Sequence, residues 1–178
     1  VDMGFLVSIN TNGSLIDENA IARFREKPPH RINITLYGAS DETYKRLCGA
    51  DKVFTKVDLA IRGLIDAGIT VKLNCSLTPE NAEDIDWIVD YGMSCGTVLS
   101  VSTYMFPPVR RDPSQIGVNK RFTPEESSRY MMRYLHRNRG EERFKGYVQS
   151  IISGRSEPLG LEADCIVPVD GHVRCRAG

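Results

Sequence analysis

Four short runs of β-prone residues constrain the fold of this chain most strongly, because helical segments separate each run from the next. The runs begin near positions 5, 32, 69 and 97 of the 178-residue sequence. Strands and helices that alternate on this scale form right-handed βαβ units, whose strands lie parallel in one sheet. A parallel sheet is covered on both faces, so the pattern predicts an α/β barrel or a doubly wound α/β sheet.

The segments between these runs carry signals that start and stop helices. Asp17 is the predicted N-cap of the first helix, and a short second helix covers 40–49. A longer helix with one apolar stripe ends at Gly68. We expect Asn81 to cap the fourth helix and Gly92 to end it.

The texture of the sequence changes after position 106, where paired prolines break regular structure. The run from Thr123 to Glu126 has the form of a capping box, with Pro at the first helical position. It predicts a helix to about 138, followed by a second helix over 141–153. A turn at Asp170 and Gly171 suggests a hairpin near the end of the chain.

Composition excludes several classes of partner. Lys plus Arg and Asp plus Glu both number 23, so the net charge of zero argues against a nucleic acid or an acidic membrane surface. The apolar runs are too short to cross a bilayer. Five cysteines at wide spacing form no disulfide framework, which fits reduced thiols in a cytoplasmic protein.

Polar residues are dense where each predicted strand ends. In parallel α/β folds ligands bind at these carboxyl ends, so the position alone marks a candidate site. The alternative is that the polar groups satisfy one another or bind buried water. The candidates are Asn10, Thr11, Asn12, Thr35, Tyr37, Asn74, Ser76, Thr103, Tyr104 and Met105.

The order of these motifs resembles a known family. A Thr-Asn-Gly turn at 11–13 is followed by the strand run at 32–38 and by the Lys-x-Asn run at 72–74. Together they look like the middle and late part of the radical S-adenosylmethionine (SAM) barrel, over roughly 5–106. The likeness is greatest to the branch with peptide-modifying and sulfatase-maturing enzymes and the molybdenum-cofactor cyclase.

The resemblance implies roles for residues at the matching positions. Tyr37 departs from the pattern, because the family often has Asp there. Hydroxyl and amide groups suit the ribose and methionine parts of SAM, while Met and Tyr suit adenine. The implied SAM-binding residues are Asn10, Thr11, Asn12, Thr35, Tyr37, Asn74 and Met105. The implied substrate-binding residues are Lys72, Ser76 and Tyr104.

The resemblance also implies a [4Fe–4S] cluster, for which family members use a Cys-x3-Cys-x-x-Cys loop. That loop is absent from this sequence, as is the family's glycine-rich motif, so we expect an excised piece that is inactive alone. The whole enzyme would reductively cleave SAM to start radical modification of a substrate. A peptide or protein substrate is expected by analogy with the branch.

Cys175 looks like the first ligand of an auxiliary iron–sulfur cluster of the SPASM type. The predicted organisation is therefore an incomplete radical SAM barrel core over 1–106, a C-terminal helical extension over 107–160 and the start of an auxiliary-cluster segment over 161–178. The open edge of a partial barrel invites self-association. Two alternatives stay open: a barrel enzyme of the aldolase or lyase type without iron, and a non-catalytic α/β binding module.

Overall fold

The computed structural model describes residues 4–103, 121–154, 166–169 and 172–175. Within these ranges, strands and helices alternate as the sequence predicts, and a single 3₁₀ turn, Ala82–Asp84, precedes the fourth helix. The first elements are β1 (Ser8–Thr11), α1 (Glu18–Glu26), β2 (Arg31–Thr35), α2 (Asp41–Cys48) and α3 (Val53–Asp66). The next are β3 (Val71–Ser76), α4 (Ile85–Ser94), β4 (Val98–Ser102), α5 (Pro124–Arg139), α6 (Glu141–Ile152), β5 (Ile166–Val169) and β6 (His172–Cys175).

Strands β1 to β4 form one parallel sheet in sequential order. Right-handed crossovers between strands in sequential order place all connecting helices on the same side of the sheet, as in a barrel. A doubly wound sheet would instead reverse its strand order at a switch point. The predicted α/β partial barrel is therefore confirmed, and the doubly wound alternative is wrong.

The apolar core lies between the sheet and its helices. Every second residue of β2 and β3 is buried, including Ile32, Ile34 and Leu73, which have no exposed surface. Helix α3 contributes its predicted stripe, and Ile61 is one of its fully buried members. Burying such a side chain contributes roughly 1.5–3 kcal/mol, so this layer dominates the stability of the sheet.

Helix starts agree closely with the sequence signals. The side chain of Asp17 accepts a hydrogen bond from Ala20 N at 2.8 Å, as expected of an N-cap. The capping box before α5 is reciprocal: Thr123 N donates to the Glu126 carboxylate, and Glu126 N donates to Thr123 Oγ1. These interactions fix where α1 and α5 begin.

Three predicted details are wrong. Strand β1 begins at Ser8 instead of position 5, because its parallel partner strand begins only at Arg31. Gly92 lies inside α4, where a Cβ would be 3.1 Å from the Cβ of Leu99, so it permits close helix–sheet packing instead of ending the helix. Asn81 makes no side-chain capping bond and has a different role, described below.

The chain divides into two compact units, Val1–Asn138 and Arg139–Gly178. In the first unit, α5 packs beside β4, where the Tyr134 hydroxyl donates to the Leu99 carbonyl at 2.9 Å. In the second unit, β5 and β6 pair in an antiparallel manner, which confirms the predicted hairpin. The predicted boundaries at 106 and 160 stay a prediction, as does self-association through the edges of the sheet.

Among the described helices, none has both the length and the apolar character that crossing a membrane requires.

Candidate functional site

One face of the parallel sheet is polar from edge to edge. Successive residues of a strand point to opposite faces, so the register defines which side chains share a face. The polar face, as we name it, carries Ser8, Asn10, Arg31, Asn33, Thr35, Lys72, Asn74, Ser76, Ser100 and Ser102, with Val98 as its one apolar member. Because the helices cover the other face, the polar face is the inner wall of the partial barrel.

The polar residues lie in rows across neighbouring strands. Asn10 pairs in register with Asn33, and Asn33 pairs with Lys72. Nearer the carboxyl ends, Thr35 pairs with Asn74. Ser100 extends this row from β4. The rows place amides, hydroxyls and one ammonium group side by side, as a polar ligand in a barrel interior requires.

Asn33 leaves one of its polar atoms without a partner. Its Nδ2 donates to the Oδ1 of Asn10 at 2.7 Å. Its own Oδ1 is buried and has no hydrogen-bond partner among the described residues. A buried acceptor without a partner costs about 1–3 kcal/mol, so this atom calls for a donor from a ligand or an ordered water. The SAM molecule that the resemblance implies offers such donors through its amino group, ribose and adenine.

Five of the predicted site residues lie on the polar face and are brought together there. They come from the neighbouring strands β1, β2 and β3. Each lies beside another member on an adjacent strand or two residues from one along its own strand, or shares Asn33 with one as a neighbour. These residues are Asn10, Thr35, Lys72, Asn74 and Ser76.

Two predicted residues belong to the turn after β1. Thr11 shares the helix-covered face with Ile34, its register partner. Its hydroxyl accepts a hydrogen bond from Gly13 N at 3.1 Å. The Oδ1 of Asn12 accepts from both the backbone N and the hydroxyl of Ser14. Both side chains close the turn, which holds the end of β1 in place.

Tyr37 lies just beyond the carboxyl end of β2, where it is half-buried. Its ring contacts that of Tyr44 edge to face, with centroids 5.7 Å apart. Burial, and then the charge of a Cys48 thiolate, raise the pKa of Tyr37 above its ordinary value, so its hydroxyl stays protonated at neutral pH.

The remaining predicted residues fall outside this sheet. Tyr104 and Met105 lie outside the described residues. Cys175 is the last residue of β6, in the second compact unit. The roles expected of these three residues stay predictions.

The carboxyl ends of β2 and β3 are tied together by Asn81, a residue that sequence reasoning assigned only to helix capping. Asn81 is 1% exposed. Its Nδ2 donates to the carbonyls of Tyr37 at 2.9 Å and of Ser76 at 3.2 Å. Its Oδ1 accepts from Thr78 N at 2.7 Å. One buried amide therefore sets the spacing of two strand ends that carry candidate site residues.

Asp84 makes a second tie, between the segment that follows β2 and the segment that follows β3. Its Oδ2 accepts hydrogen bonds from Ala39 N and from the hydroxyl of Thr43, both at 2.8 Å. A Cβ on Gly38 would lie 2.8 Å from this oxygen and 2.3 Å from the Cγ2 of Thr43, so only glycine fits. We call the side chains of Asn81 and Asp84 the strand-end clamp.

The cysteines of residues 4–103 form no group that could ligate an iron–sulfur cluster. No group of three or more His, Cys, Asp or Glu side chains in the described ranges could hold a metal ion. Cys75 is buried on the helix-covered face, and burial raises its pKa to about 12, so it is a neutral thiol. Cluster ligands are thiolates, so this buried, apolar environment disfavours Cys75 as a ligand.

A cavity of about 540 Å³ opens beside Thr103, just past the end of β4. Phe122, Pro124 and Met131 give it an apolar lining, and Ser127 adds a hydroxyl. That hydroxyl is 2.8 Å from the Oγ1 of Thr103, which joins the strand end to helix α5. The cavity thus lies at the carboxyl end of β4, on the side of the sheet where the candidate site residues are dense.

A partial parallel barrel with a polar inner wall and tied strand ends is the framework of a β/α-barrel enzyme. Residues 2–92 match the family model of the radical SAM superfamily, which is half of the chain. The chain belongs to the radical SAM superfamily.

Named relatives of the chain have different activities. A "Probable GTP 3',8-cyclase" of Saccharolobus islandicus (strain L.S.2.15 / Lassen #1) is 33% identical over 91 residues, which are 51% of this chain and 29% of that protein. The "AdoMet-dependent heme synthase" of Methanosarcina barkeri is 25% identical over 113 residues, 64% of this chain and 32% of that protein. The chain thus spans about a third of these relatives.

Solved structures share the fold at low sequence identity. The structure "Native anSMEcpe with bound AdoMet and Cp18Cys peptide" superposes with a TM-score of 0.57 at 18% identity, covering 84% of this chain and 39% of that one. Streptococcus suis SuiB superposes with a TM-score of 0.57 at 16% identity, covering 86% of this chain and 31% of that one. These likenesses support the partial barrel and leave the substrate open.

Proposed function

We propose that this chain forms the SAM-binding part of the barrel in a radical SAM oxidoreductase, with SAM lying across the polar face near the carboxyl ends of β1 to β3. The observation that carries the proposal is the shared placement of Asn10, Thr35 and Asn74 beside the unpartnered Oδ1 of Asn33. Membership of the superfamily supports the same ligand.

Four side chains of the polar face have distinct parts in the proposed SAM binding. The hydroxyl of Thr35 and the amides of Asn10 and Asn74 form hydrogen bonds to the ribose and methionine parts of SAM. Asn33 accepts one further bond through Oδ1, which removes the cost of its unpaired acceptor. Tyr37 and Met105 are proposed to contact adenine, and the turn of Thr11 and Asn12 positions the end of β1.

Bound SAM, beside a reduced [4Fe–4S] cluster, supplies a 5′-deoxyadenosyl radical to the superfamily's reactions. The residues of this chain orient the cofactor and exclude water from the inner wall. Because Cys48, Cys75 and Cys95 form no metal-binding group with other described residues, and the chain spans about a third of its relatives, we place the ligands of the [4Fe–4S] cluster in another part of the protein. The 178 residues alone are then inactive.

The substrate contacts the part of the polar face beside the SAM site. Lys72 and Ser76 lie on β3 at that position, and Tyr104 follows β4 in the sequence. We propose a peptide or protein as the substrate, with Cys175 as a ligand of an auxiliary cluster. Structural likeness to anSMEcpe and SuiB, whose structures include peptide-bound forms, supports this choice.

A nucleotide is the second candidate substrate. The 33% identity to a GTP 3',8-cyclase over 91 residues favours it. The ammonium group of Lys72 is suited to an anionic substrate such as a nucleoside triphosphate.

The test uses the full-length protein, reconstituted with iron and sulfide under anaerobic conditions. SAM affinity is measured by isothermal titration calorimetry, and 5′-deoxyadenosine is measured after addition of a reductant. Asn74→Ala removes one hydrogen-bonding side chain and should weaken SAM binding by about tenfold, or about 1.4 kcal/mol. Asn138→Ala, at an exposed site on α5, is the matched control and should leave the affinity unchanged.

The two substrates are separated by adding GTP or a candidate peptide to parallel reactions and following which one is altered. Absence of 5′-deoxyadenosine from a protein that carries its cluster would overturn the proposed reaction. Equal SAM affinity in wild type and Asn74→Ala would overturn the proposed binding face.

A further inference from the structure

Five aromatic rings form a continuous series from the candidate site to the protein surface. We name this series the aromatic chain. Neighbouring ring centroids are separated by 5.7, 5.8, 5.3 and 4.8 Å. In order, its members are Tyr37, Tyr44, Phe54, Trp87 and Tyr91.

The inner end of the aromatic chain is attached to the strand-end clamp. Tyr37 follows β2 at its carboxyl end, and its carbonyl accepts a hydrogen bond from Asn81. Its backbone N donates to the Tyr44 hydroxyl at 3.2 Å, so the first two rings are held by a bond as well as by packing. Tyr44 is 1% exposed, and the series therefore continues through the protein interior.

The outer end has a built-in acceptor for a proton. The Tyr91 hydroxyl donates to the Oδ1 of Asp58 at 2.6 Å. Arg62 holds the same carboxylate through its Nε at 2.9 Å, and its guanidinium lies 5.7 Å from the centroid of the Tyr91 ring. Tyr91 is 5% exposed, whereas the neighbouring Trp87 exposes 38% of its surface.

The polar arrangement around Tyr91 satisfies its buried hydroxyl and also suits the phenol to oxidation. Burial, and then the hydrogen bond to Asp58, raise the pKa of Tyr91, so its phenol is neutral at ordinary pH. When a phenol loses an electron it becomes strongly acidic, and a carboxylate at hydrogen-bond distance accepts the proton without large motion. Tyr91 and Asp58 thus form a ready site for coupled loss of an electron and a proton.

We propose that the aromatic chain carries oxidising equivalents from the candidate site to Tyr91 and Trp87, and so discharges carbon-centred radicals that fail to react with substrate. The inference rests on the proposed function only for the source of these radicals, which is an organic carbon-centred radical formed near the carboxyl ends of the strands.

The discharge reaction balances in atoms and in electrons. The carbon radical takes a hydrogen atom from the Tyr37 hydroxyl: a C–H bond forms, an O–H bond breaks, and a Tyr37 phenoxyl radical remains. An electron then passes from Tyr91 along the rings to Tyr37, which takes up a proton from solvent. Tyr91 gives its phenolic proton to Asp58 as it becomes the phenoxyl radical. A low-molecular-weight thiol in solution gives one electron to Tyr91 through exposed Trp87 and is itself oxidised, and Asp58 returns the proton.

The first test needs neither SAM nor turnover. A thiol-reactive ruthenium photo-oxidant is attached to the full-length protein at Cys48, a free and exposed residue that ends α2 about one turn after Tyr44. The same preparation of Cys48→Ser gives the background from other thiols. After a laser flash with an electron acceptor, transient absorption records the yield of a long-lived tyrosyl radical. We expect a signal well above the background.

Conservative variants identify the path. Tyr91→Phe keeps the ring and removes the phenol, and Trp87→Phe keeps an aromatic ring but raises the energy of the step through it. Both should reduce the long-lived tyrosyl signal to the Cys48→Ser background. Tyr130→Phe is the matched control, because Tyr130 stacks only on Phe122 among the described rings and lies outside the aromatic chain. A yield in Tyr91→Phe equal to that of wild type would overturn the proposal.

A second test uses the reconstituted enzyme with SAM and reductant but without substrate. We expect Trp87→Phe to lose activity after fewer equivalents of 5′-deoxyadenosine than wild type, while Tyr130→Phe behaves as wild type. Equal loss per equivalent would count against a protective role. If wild type forms no 5′-deoxyadenosine at all, the proposed function fails, and the photochemical yields still decide whether the aromatic chain conducts.

Discussion

The strand-end clamp makes a quantitative prediction about Asn81. The substitution Asn81→Ala removes an amide that is 1% exposed and that serves three backbone groups. Two of these groups are the carbonyls of Tyr37 and Ser76, at the ends of neighbouring strands, and the third is Thr78 N. Alanine supplies neither the donor nor the acceptor, and water has little access to the space that it leaves.

The magnitude follows from the number of hydrogen bonds lost. A typical hydrogen bond contributes about 1 kcal/mol net, and a buried group left without a partner costs about 1–3 kcal/mol. The three backbone contacts of Asn81, and a longer one from the Thr78 hydroxyl at 3.3 Å, share two polar atoms, and backbone relaxation recovers part of the loss. We therefore expect the free energy of unfolding to fall by about 3 kcal/mol, the range that loss of a buried hydrogen-bond network produces.

Urea denaturation of the full-length protein, followed by tryptophan fluorescence, measures this change. Asn12→Ala is the matched control, because Asn12 also closes a turn through its side chain but is exposed to water. Its expected cost is within about 0.5 kcal/mol. SAM affinity is measured on Asn81→Ala below its unfolding transition and should be weaker than that of wild type. Equal stability losses in the two variants would refute the argument from burial.

Three further predictions concern packing, thiol chemistry and pH. Gly38→Ala should lower the free energy of unfolding by about 1–3 kcal/mol in urea denaturation, because the new Cβ would contact Thr43 and Asp84 too closely. Gly146→Ala, in open space on α6, should raise it by up to about 1 kcal/mol. Equal effects of the two substitutions would contradict this reasoning. At pH 8, iodoacetamide should label exposed Cys48 much faster than Cys75, because burial raises the pKa of Cys75 to about 12. Peptide mass spectrometry measures both labelling rates, and equal rates would refute the prediction. The hydrogen bond from Arg133 on α5 lowers the pKa of Asp86 in the folded protein. The stability that this pair contributes is therefore present above the unfolded-state pKa of about 3.9 and is lost as the pH falls through the folded-state pKa. The stability difference between wild type and Asp86→Asn, at most about 1 kcal/mol at this exposed pair, should therefore vanish in acid, and a difference that persists at low pH would refute the assignment.

The sequence was most informative where one local interaction decides the outcome. Asp17 and the capping box at Thr123 predicted helix starts because a side chain and a backbone group a few residues apart satisfy each other. Boundaries that depend on a distant partner were predicted less well. Strand β1 begins where its neighbour offers backbone groups, and Gly92 continues a helix because Leu99 packs against it.

The candidate site shows the same division. The alternation of polar and apolar residues in β2 and β3 predicts that Thr35 and Asn74 share a face, since parity along a strand is a local property. Register between strands is not local, so the pairing of Asn10 with Asn33 and the polar contribution of Ser100 emerged only from the fold. The alternation of Leu99, Ser100, Val101 and Ser102 was a usable signal for β4.

The polarity of the inner wall indicates a ligand-binding function independently of any relative. A parallel sheet that served only as a scaffold would lose nothing by filling its interior with apolar side chains, as barrel cores do. In this chain the helix-covered face is apolar and carries the stability, while the polar face keeps amides, hydroxyls and the charged groups of Arg31 and Lys72. Polar groups kept away from water cost free energy unless something pairs with them. Since the described residues leave the Oδ1 of Asn33 unpaired, a polar ligand or an ordered water on this face would pair with it, and an apolar substitution there should raise stability while it lowers affinity for such a ligand.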